Sequence, residues 1–376
     1  MNDVRDTVSH AKPRVLLVAR TRYSLPLSPS LERKFDALRE RFELRVLATS
    51  ADGSAHDDGT FRLMPSLPVA DGALFWSLLP ARVRRIARQH RPHAIVAQGP
   101  YEAAAAELAR TGAKVVVELH GDWRTATRLY GSRVRGVLSP VADAVGAHAI
   151  RSADAVRTLS PFTSGLVRDL GVEPAGEFVA FMDLELFLDR PPEPLPEAPA
   201  ALFVGVLELY KNVDGLARAW RAAAPRVPGA QLRLVGGGSR REVVDALGRD
   251  LPAQTTHVER LPQEEIARAL DAATCLVLPS RSEGLPRIAV EALARGRAIV
   301  GARGGGIPDV VEDGVNGLLV DTYDELAEAL VRVLSDRDLA AALAAGARRS
   351  VERWIATPAD FAERLAAVVR PYTGAA

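Results

Sequence analysis

Short, nearly unbroken apolar runs recur along this chain: RVLLVA at residues 14–19, AIVA at 94–97, VVVEL at 115–119, ALFVGVL at 201–207, QLRLV at 231–235 and CLVL at 275–278. A strand with one wet face alternates polar and apolar residues; a run without alternation is buried on both faces and needs a layer on each side. Segments of helical period follow most of the runs, at 31–41, 73–91, 264–272 and 287–295 and from residues 102, 213 and 240. Strand, helix, strand in that order specifies an α/β chain of doubly wound parallel sheets. At 376 residues it exceeds one ordinary core, so two such sheets are expected. RPPEPLPEAP at 190–199, five prolines among acidic residues, reads as a stiff linker and places the domain boundary there.

Charge is nearly balanced, 48 basic against 47 acidic residues, and nothing in it asks for nucleic acid. Cys275 is the single cysteine, which excludes an intrachain disulfide and a cysteine metal cluster. No apolar run approaches a membrane span, and the polar MNDVRD start is unlike a signal peptide, so a cytoplasmic protein is expected. Residues 1–12 read as a disordered lead, 51–60 as a turn or loop, and 20–30 as a polar loop carrying Arg20, Arg22 and Tyr23. The helical segment 73–91 has Phe75, Trp76, Leu78 and Leu79, then Arg82, Arg84, Arg85, Arg88 and Arg91 with no acidic residue. It is either a core-packed helix with a solvated arginine face or a surface that lies on an anionic membrane.

Chemistry concentrates in residues 276–320. After the strand CLVL come Ser280-Arg281-Ser282, then Glu283-Gly284, a turn at Leu285-Pro286 and a helix from Arg287. Glu283 then sits just before the first turn, and Glu291 one to two turns inside. A helix N-terminus offers unpaired N–H groups and partial positive charge, a place for phosphate. Carboxylates accept hydrogen bonds from sugar hydroxyls. The two together fit a nucleotide-sugar. His120 closes the run 115–119 in ELHGD, and ligands of such sheets lie beyond the carboxyl ends of strands; Glu102 begins a helix near the same edge. Ser160 reads as an N-cap, and Asp336-Arg337-Asp338 reads as a helix cap rather than a metal site.

The run 276–320 resembles the donor-binding signature of the retaining glycosyltransferases of family four, which have the GT-B fold. Glu283, seven residues, Glu291, a small-residue strand at 297–300, a glycine pair within 304–308 and a closing strand at 316–320 stand in the family's order. The resemblance implies two Rossmann-like domains facing across a cleft: an N-terminal acceptor domain of residues 1–190 and a C-terminal donor domain of 200–355. The C-terminal helix, within 356–376, crosses back, and helices at 339–349 and 358–369 are both expected to pack on the first domain. The implied reaction moves a sugar, with retention, from a nucleoside-diphosphate donor to a glycan, lipid or small-molecule acceptor. No metal and no cofactor beyond the donor substrate are implied.

By the same resemblance His120 reaches the donor sugar, Lys211 meets the diphosphate, and Glu283 completes the catalytic set. Donor contacts fall to Gly205, Lys211, Gly236, Gly237, the backbone near Leu261, Glu283, Gly284, Leu285, Pro286, Arg287 and Glu291. Three departures stand out. Val206 occupies the place of the family's second diphosphate cation, an arginine, for which Arg281 or Arg287 is a substitute. The first loop has no glycine, leaving Arg20, Arg22 and Tyr23 as acceptor candidates. The Asn-Gly that precedes the family's Asp is missing before Asp183. Two other readings remain open: a nucleotide-sugar epimerase using Glu118 or Asp122 beside His120, and a non-catalytic binding subunit, motivated by Val206.

Overall fold

The computed structural model describes residues 12–65, 71–125 and 133–373, without the side chains of 71–74 and 133–138. Its first sheet contains β1 (Arg14–Tyr23), β2 (Glu43–Ser50), β3 (His56–Asp57), β4 (Phe61–Met64), β5 (Ala94–Ala97), β6 (Lys114–Leu119), β7 (Ala155–Thr158) and β8 (Gly176–Glu177), in the order β3-β4-β2-β1-β5-β6-β7-β8. The second contains β9 (Ala200–Val204), β10 (Gln231–Val235), β11 (Thr255–Val258), β12 (Cys275–Leu278), β13 (Ala298–Ala302) and β14 (Gly317–Val320), in the order β11-β10-β9-β12-β13-β14. Every pairing is parallel except the edge hairpin β3–β4. The chain is thus an α/β protein of two largely parallel, doubly wound sheets, as the resemblance implies.

The unbroken apolar runs have a direct cause. Val15, Leu17 and Ala19 of β1 enter one core while Leu16 and Val18 enter another on the opposite face. In β12, Cys275 and Val277 face one core, Leu276 and Leu278 the other. In each sheet strand order reverses beside the first strand, between β1 and β5 and between β9 and β12. A crevice opens at the carboxyl ends of strands at such a point.

Several expectations are corrected. β1 runs on past residue 19 to Tyr23, pairing Arg22 with Thr49 after a register shift. Tyr23 is a core residue, its ring 5.7 Å from Phe35 and 5.6 Å from Phe61 edge to face, so it leaves the acceptor candidates. The segment 51–60 contributes to the β3–β4 hairpin instead of being loop throughout. β11 ends at Val258, so the backbone near Leu261 lies beyond the strand. Of the two terminal helices, Pro358–Val369 packs on Pro29–Arg41, burying Phe361 and Leu365 beside Phe35 and Leu38. Arg337–Ser350 does not cross; Leu343 and Ala347, one turn apart on its apolar face, enter the cores of the second sheet.

The helix Asp71–His90 buries Phe75, Leu79, Val83 and Ile86, three or four residues apart, and turns its arginines outward. The proline stretch after residue 190 is not a free spacer. Buried Arg295 donates to the carbonyls of Phe187, Arg190 and Pro191, and buried Arg297 to those of Glu193 and Pro194. Asp271 pairs with the Arg295 guanidinium at 2.8 Å, so this charge is neutralised where it is desolvated. Among the described residues no helix is long and apolar enough to cross a membrane.

Candidate active site

The loop after β12 lies between two walls. A Cβ on Gly284 would stand 1.7 Å from the His120 carbonyl oxygen, so only glycine allows the loop to pass there. On the other side the Gly306 N–H donates to the Glu283 carbonyl at 2.8 Å. Three hydrogen bonds tie the first domain to this region: Thr125 Oγ1 to Ser282 Oγ at 3.2 Å, Ser160 Oγ to the Gly284 carbonyl at 3.4 Å, and Phe162 N–H to Asp309 Oδ2 at 2.9 Å. Ser160 also caps its own helix, Pro161–Arg168. No local sequence signal points to Thr125, Ser282 or Asp309, whose partners lie more than a hundred residues away.

The loop delivers Leu285 and buried Pro286 to the start of the helix Arg287–Ala294, whose N-terminus has no side-chain cap. Lys211 comes to the loop from the other direction. It ends a 3₁₀ turn, Leu209–Lys211, fixed by Asn212, whose Nδ2 donates to the Pro279 carbonyl at 3.0 Å. Lys211 Nζ lies 2.6 Å from Glu283 Oε1, with side chains 12% and 11% exposed. Gly205 lies directly behind: a Cβ there would be 3.3 Å from Lys211 Cε. The glycine turn folds onto the same strand end, where a Cβ on Gly236 would be 1.8 Å from the Gly205 carbonyl. Gly237 sits beside Glu259, and the Ser239 N–H and hydroxyl donate to the Glu208 carboxylate. Leu261 is partly buried against the core under the loop.

Glu291 is buried, and burial raises its pKa against the opposing pull of Arg287, whose Nε is 2.8 Å from Glu291 Oε1. Arg287 is therefore engaged with Glu291. Arg281 directs its guanidinium to Asn212 Oδ1, at 3.3 and 3.4 Å, behind the Lys211 turn. Val206, at the place of the family's second diphosphate cation, is 45% exposed.

Across the cleft His120 is exposed, and its Nε2 lies 3.7 Å from Glu118 Oε2. Glu118 is buried; burial would raise its pKa, but Arg157, His120 and Lys34 outweigh that and hold it at about 2. Arg157 donates to Glu118 at 3.0 Å and to the Phe178 carbonyl at 2.6 Å, with Phe178 and Phe361 over its guanidinium. Asp122 takes a two-pronged grip from Arg124, at 2.8 and 3.0 Å. Each of the two carboxylates from which an epimerase reading would draw is thus tied to an arginine. Glu102 is buried in the first turn of the helix Pro100–Ala109, and burial pushes its pKa up to about 7 against the Arg20 backbone and charge. Arg20 and Arg22 are exposed at the end of β1, and Asp183 pairs with Arg33 of the helix Pro29–Arg41. Asp336 caps the helix Arg337–Ser350 by accepting from the Leu339 N–H. Among the described residues no three His, Cys, Asp or Glu side chains are grouped to hold a metal.

The chain matches two protein families, "Glycosyl transferase 4-like domain" over residues 28–180 and "Glycosyl transferases group 1" over 188–350. It is 38% identical over 173 residues to a D-inositol 3-phosphate glycosyltransferase of Nocardioides sp., covering 41% of this chain and 38% of that protein. Over 185 residues it is 31% identical to a GDP-mannose-dependent alpha-(1-6)-phosphatidylinositol monomannoside mannosyltransferase of Mycobacterium tuberculosis, covering 46% of this chain and 48% of that one. These matches span less than half the length of either relative. Among solved structures, sucrose-phosphate synthase from Thermosynechococcus elongatus superposes with a TM-score of 0.76 over 97% of this chain and all of that one, at 18% identity. Anabaena HepE, solved with UDP, gives 0.67 over 95% of this chain and all of that one, also at 18%. With both halves matched and one architecture throughout, the chain belongs to the group 1 glycosyltransferases, the family-four type with a GT-B fold.

Proposed function

We propose that the protein transfers a glycosyl group from a nucleoside-diphosphate sugar to a hydroxyl acceptor, with retention at the anomeric carbon and without a metal. The observation that carries this is the meeting of Lys211, Glu283 and the uncapped start of the helix Arg287–Ala294 on one side of a loop whose other side abuts His120. In this reading the second domain holds the donor: Glu291 takes ribose hydroxyls, Gly205, Gly236 and Gly237 admit the nucleotide, and Leu261 borders the base. The bond from the anomeric carbon to the diphosphate oxygen breaks as the acceptor oxygen approaches from the same face. The acceptor's proton passes to the departing diphosphate. Lys211 and the helix N-terminus stabilise the growing charge, which is where fixed cations and dipoles contribute most. His120 contacts the sugar from the first domain. A cytoplasmic setting fits the single, buried Cys275 thiol.

The test is incubation of the full chain with uridine- and guanosine-diphosphate sugars, with and without hydroxyl acceptors. Diphosphate release and the product anomer are measured. Acceptor-dependent diphosphate release and a product that keeps the donor's anomeric configuration are expected. Epimer formation without acceptor would overturn transfer, and donor binding without turnover across the acceptors would favour a non-catalytic subunit, the reading to which Val206 lends support.

A further inference from the structure

Four arginines line one cavity of about 630 Å³ in the first domain: Arg84 and Arg88 on the helix Asp71–His90, Arg91 just after it, and Arg110 just after the helix Pro100–Ala109. β5 and β6 begin within four residues of Arg91 and Arg110. The cavity therefore lies at the amino ends of the strands, whereas the cleft loops leave their carboxyl ends. No carboxylate lines it; apart from Thr111 the rest of the wall is small or apolar.

Helix dipoles explain one of the four. Arg84 donates to the carbonyls of Ala109 and Leu108, at 2.7 and 3.4 Å, and so answers the negative end of the helix Pro100–Ala109. Among the described residues the guanidinium groups of Arg88, Arg91 and Arg110 have no hydrogen-bond or ion-pair partner. Arg110 also borders an adjoining cavity that holds Glu107 and Asp154, whose carboxylates take a hydrogen bond from Ser152 and an ion pair from Lys114.

Backbone conformation adds a second, independent observation. Arg91 and Arg110 end their helices in the left-handed region, at φ 47° and 49°. Glycine takes that position without the Cβ penalty. In the described chain only Asn212, in the Lys211 turn, shares a positive φ with them among non-glycine residues. Two positions where glycine is the low-energy choice carry arginines instead, and both arginines face one carboxylate-free cavity.

We propose that this cavity is a binding site for a phosphate-bearing anion, separate from the cleft and independent of the glycosyltransfer reading. Planar guanidinium forks pair with phosphate oxygens two at a time. Positive charges converging in a concavity raise the local concentration of such an anion. The phosphate is free or lipid-borne; Leu108, 66% exposed beside Arg84, offers an apolar contact to the second kind.

The experiment titrates the full chain with inorganic tripolyphosphate by calorimetry, and sediments it with phosphatidylglycerol-containing vesicles against phosphatidylcholine vesicles. Each is repeated for Arg88→Gln/Arg110→Gly and for a charge-matched control at exposed positions elsewhere, Arg249→Gln/Arg349→Gln. Binding in either arm that falls about tenfold in the cavity variant, and stays within about twofold of wild type in the control, supports the site. Which arm responds identifies the source. Absence of binding in both arms, or equal loss in cavity and control variants, overturns it. Arg110→Gly alone separates binding from structure. Relief of the left-handed backbone should raise the melting temperature while anion affinity falls. A lowered melting temperature with unchanged affinity would make Arg110 a structural cap and sink the proposal.

Discussion

Lys211 Nζ sits 2.6 Å from Glu283 Oε1, both side chains nearly nine-tenths buried, at the point where a donor diphosphate is proposed to leave. Lys211 is thus held by a carboxylate for which a donor contact is proposed. Removing either partner leaves the other desolvated and unpaired, which costs about 3–5 kcal/mol for a fully buried pair and less here. Lys211→Met should lower stability, and Lys211→Met/Glu283→Gln should restore most of it. Turnover should fall about 10²–10³-fold in the single variant, as for one lost electrostatic stabiliser, and stay low in the double. Melting temperatures and initial rates check this; recovery of turnover in the double variant would show the pair to be structural only.

His120 stands across the cleft, and the diphosphate contacts proposed for Lys211 are not its own. His120→Ala should reduce turnover while calorimetry shows nearly unchanged affinity for a nucleoside diphosphate. Loss of diphosphate affinity in that variant would mean the two sides of the cleft have been assigned wrongly.

Glu118 gives a pH test. Its folded pKa, about 2, lies below the ordinary value of 4.5 because Arg157, His120 and Lys34 outweigh its burial. A depressed carboxyl contributes stability that is present above the unfolded pKa and lost as pH falls through the folded one. Wild type should therefore lose stability faster than Glu118→Gln between about pH 5 and pH 2. Glu102 and Glu291, raised by burial, slope the other way but are common to both proteins and cancel in the difference. Parallel urea midpoints for the two proteins across that window would remove the Arg157–Glu118 account.

Burial opposes the charge of Glu291 and Arg287 offsets it only in part, so that charge is a cost to the free protein. Glu291→Gln should leave the melting temperature equal or higher. It should weaken nucleotide binding by roughly 1.5–3 kcal/mol, the worth of a hydrogen bond to a charged group. Calorimetry with a nucleoside diphosphate measures this, and unchanged affinity would separate Glu291 from the donor.

Both sheets were legible because a strand buried on two faces has no polar register to hide in; RVLLVA and CLVL could be little else. The β3–β4 hairpin was not, since Asp- and Gly-rich text at an edge has the composition of a loop. Tyr23 was misplaced because the three residues before it, Arg20-Thr21-Arg22, are polar and mask the strand's continuation. Arg295 and Arg297 look like surface residues in sequence; their partners are backbone carbonyls a hundred residues earlier, which no side-chain pattern advertises. In the site, the order Glu283 to Glu291 and the glycines were readable as local text. Thr125, Ser282 and Asp309 were not, because contacts between domains leave no periodicity in either.

The same substitution should act in opposite directions at two glycines. Gly248 lies in the helix Arg241–Asp250, and a Cβ there meets nothing within 4 Å. Gly248→Ala should stabilise by about 0.5–1 kcal/mol, through helix propensity and a less flexible unfolded chain. At Gly284 a Cβ would come within 1.7 Å of the His120 carbonyl oxygen and 3.0 Å of Gly121 Cα, both backbone atoms that cannot turn aside. The wall must move, and the wall belongs to the other domain. Gly284→Ala should therefore cost about 1–3 kcal/mol, the range for overpacking. It should also break the Ser160 and Thr125 bonds that cross the cleft. Small-angle scattering should show a larger radius of gyration for Gly284→Ala and none for Gly248→Ala, with turnover lost in the first and kept in the second. A Gly284→Ala protein of unchanged radius and full turnover would mean that the domains do not meet at this loop in solution.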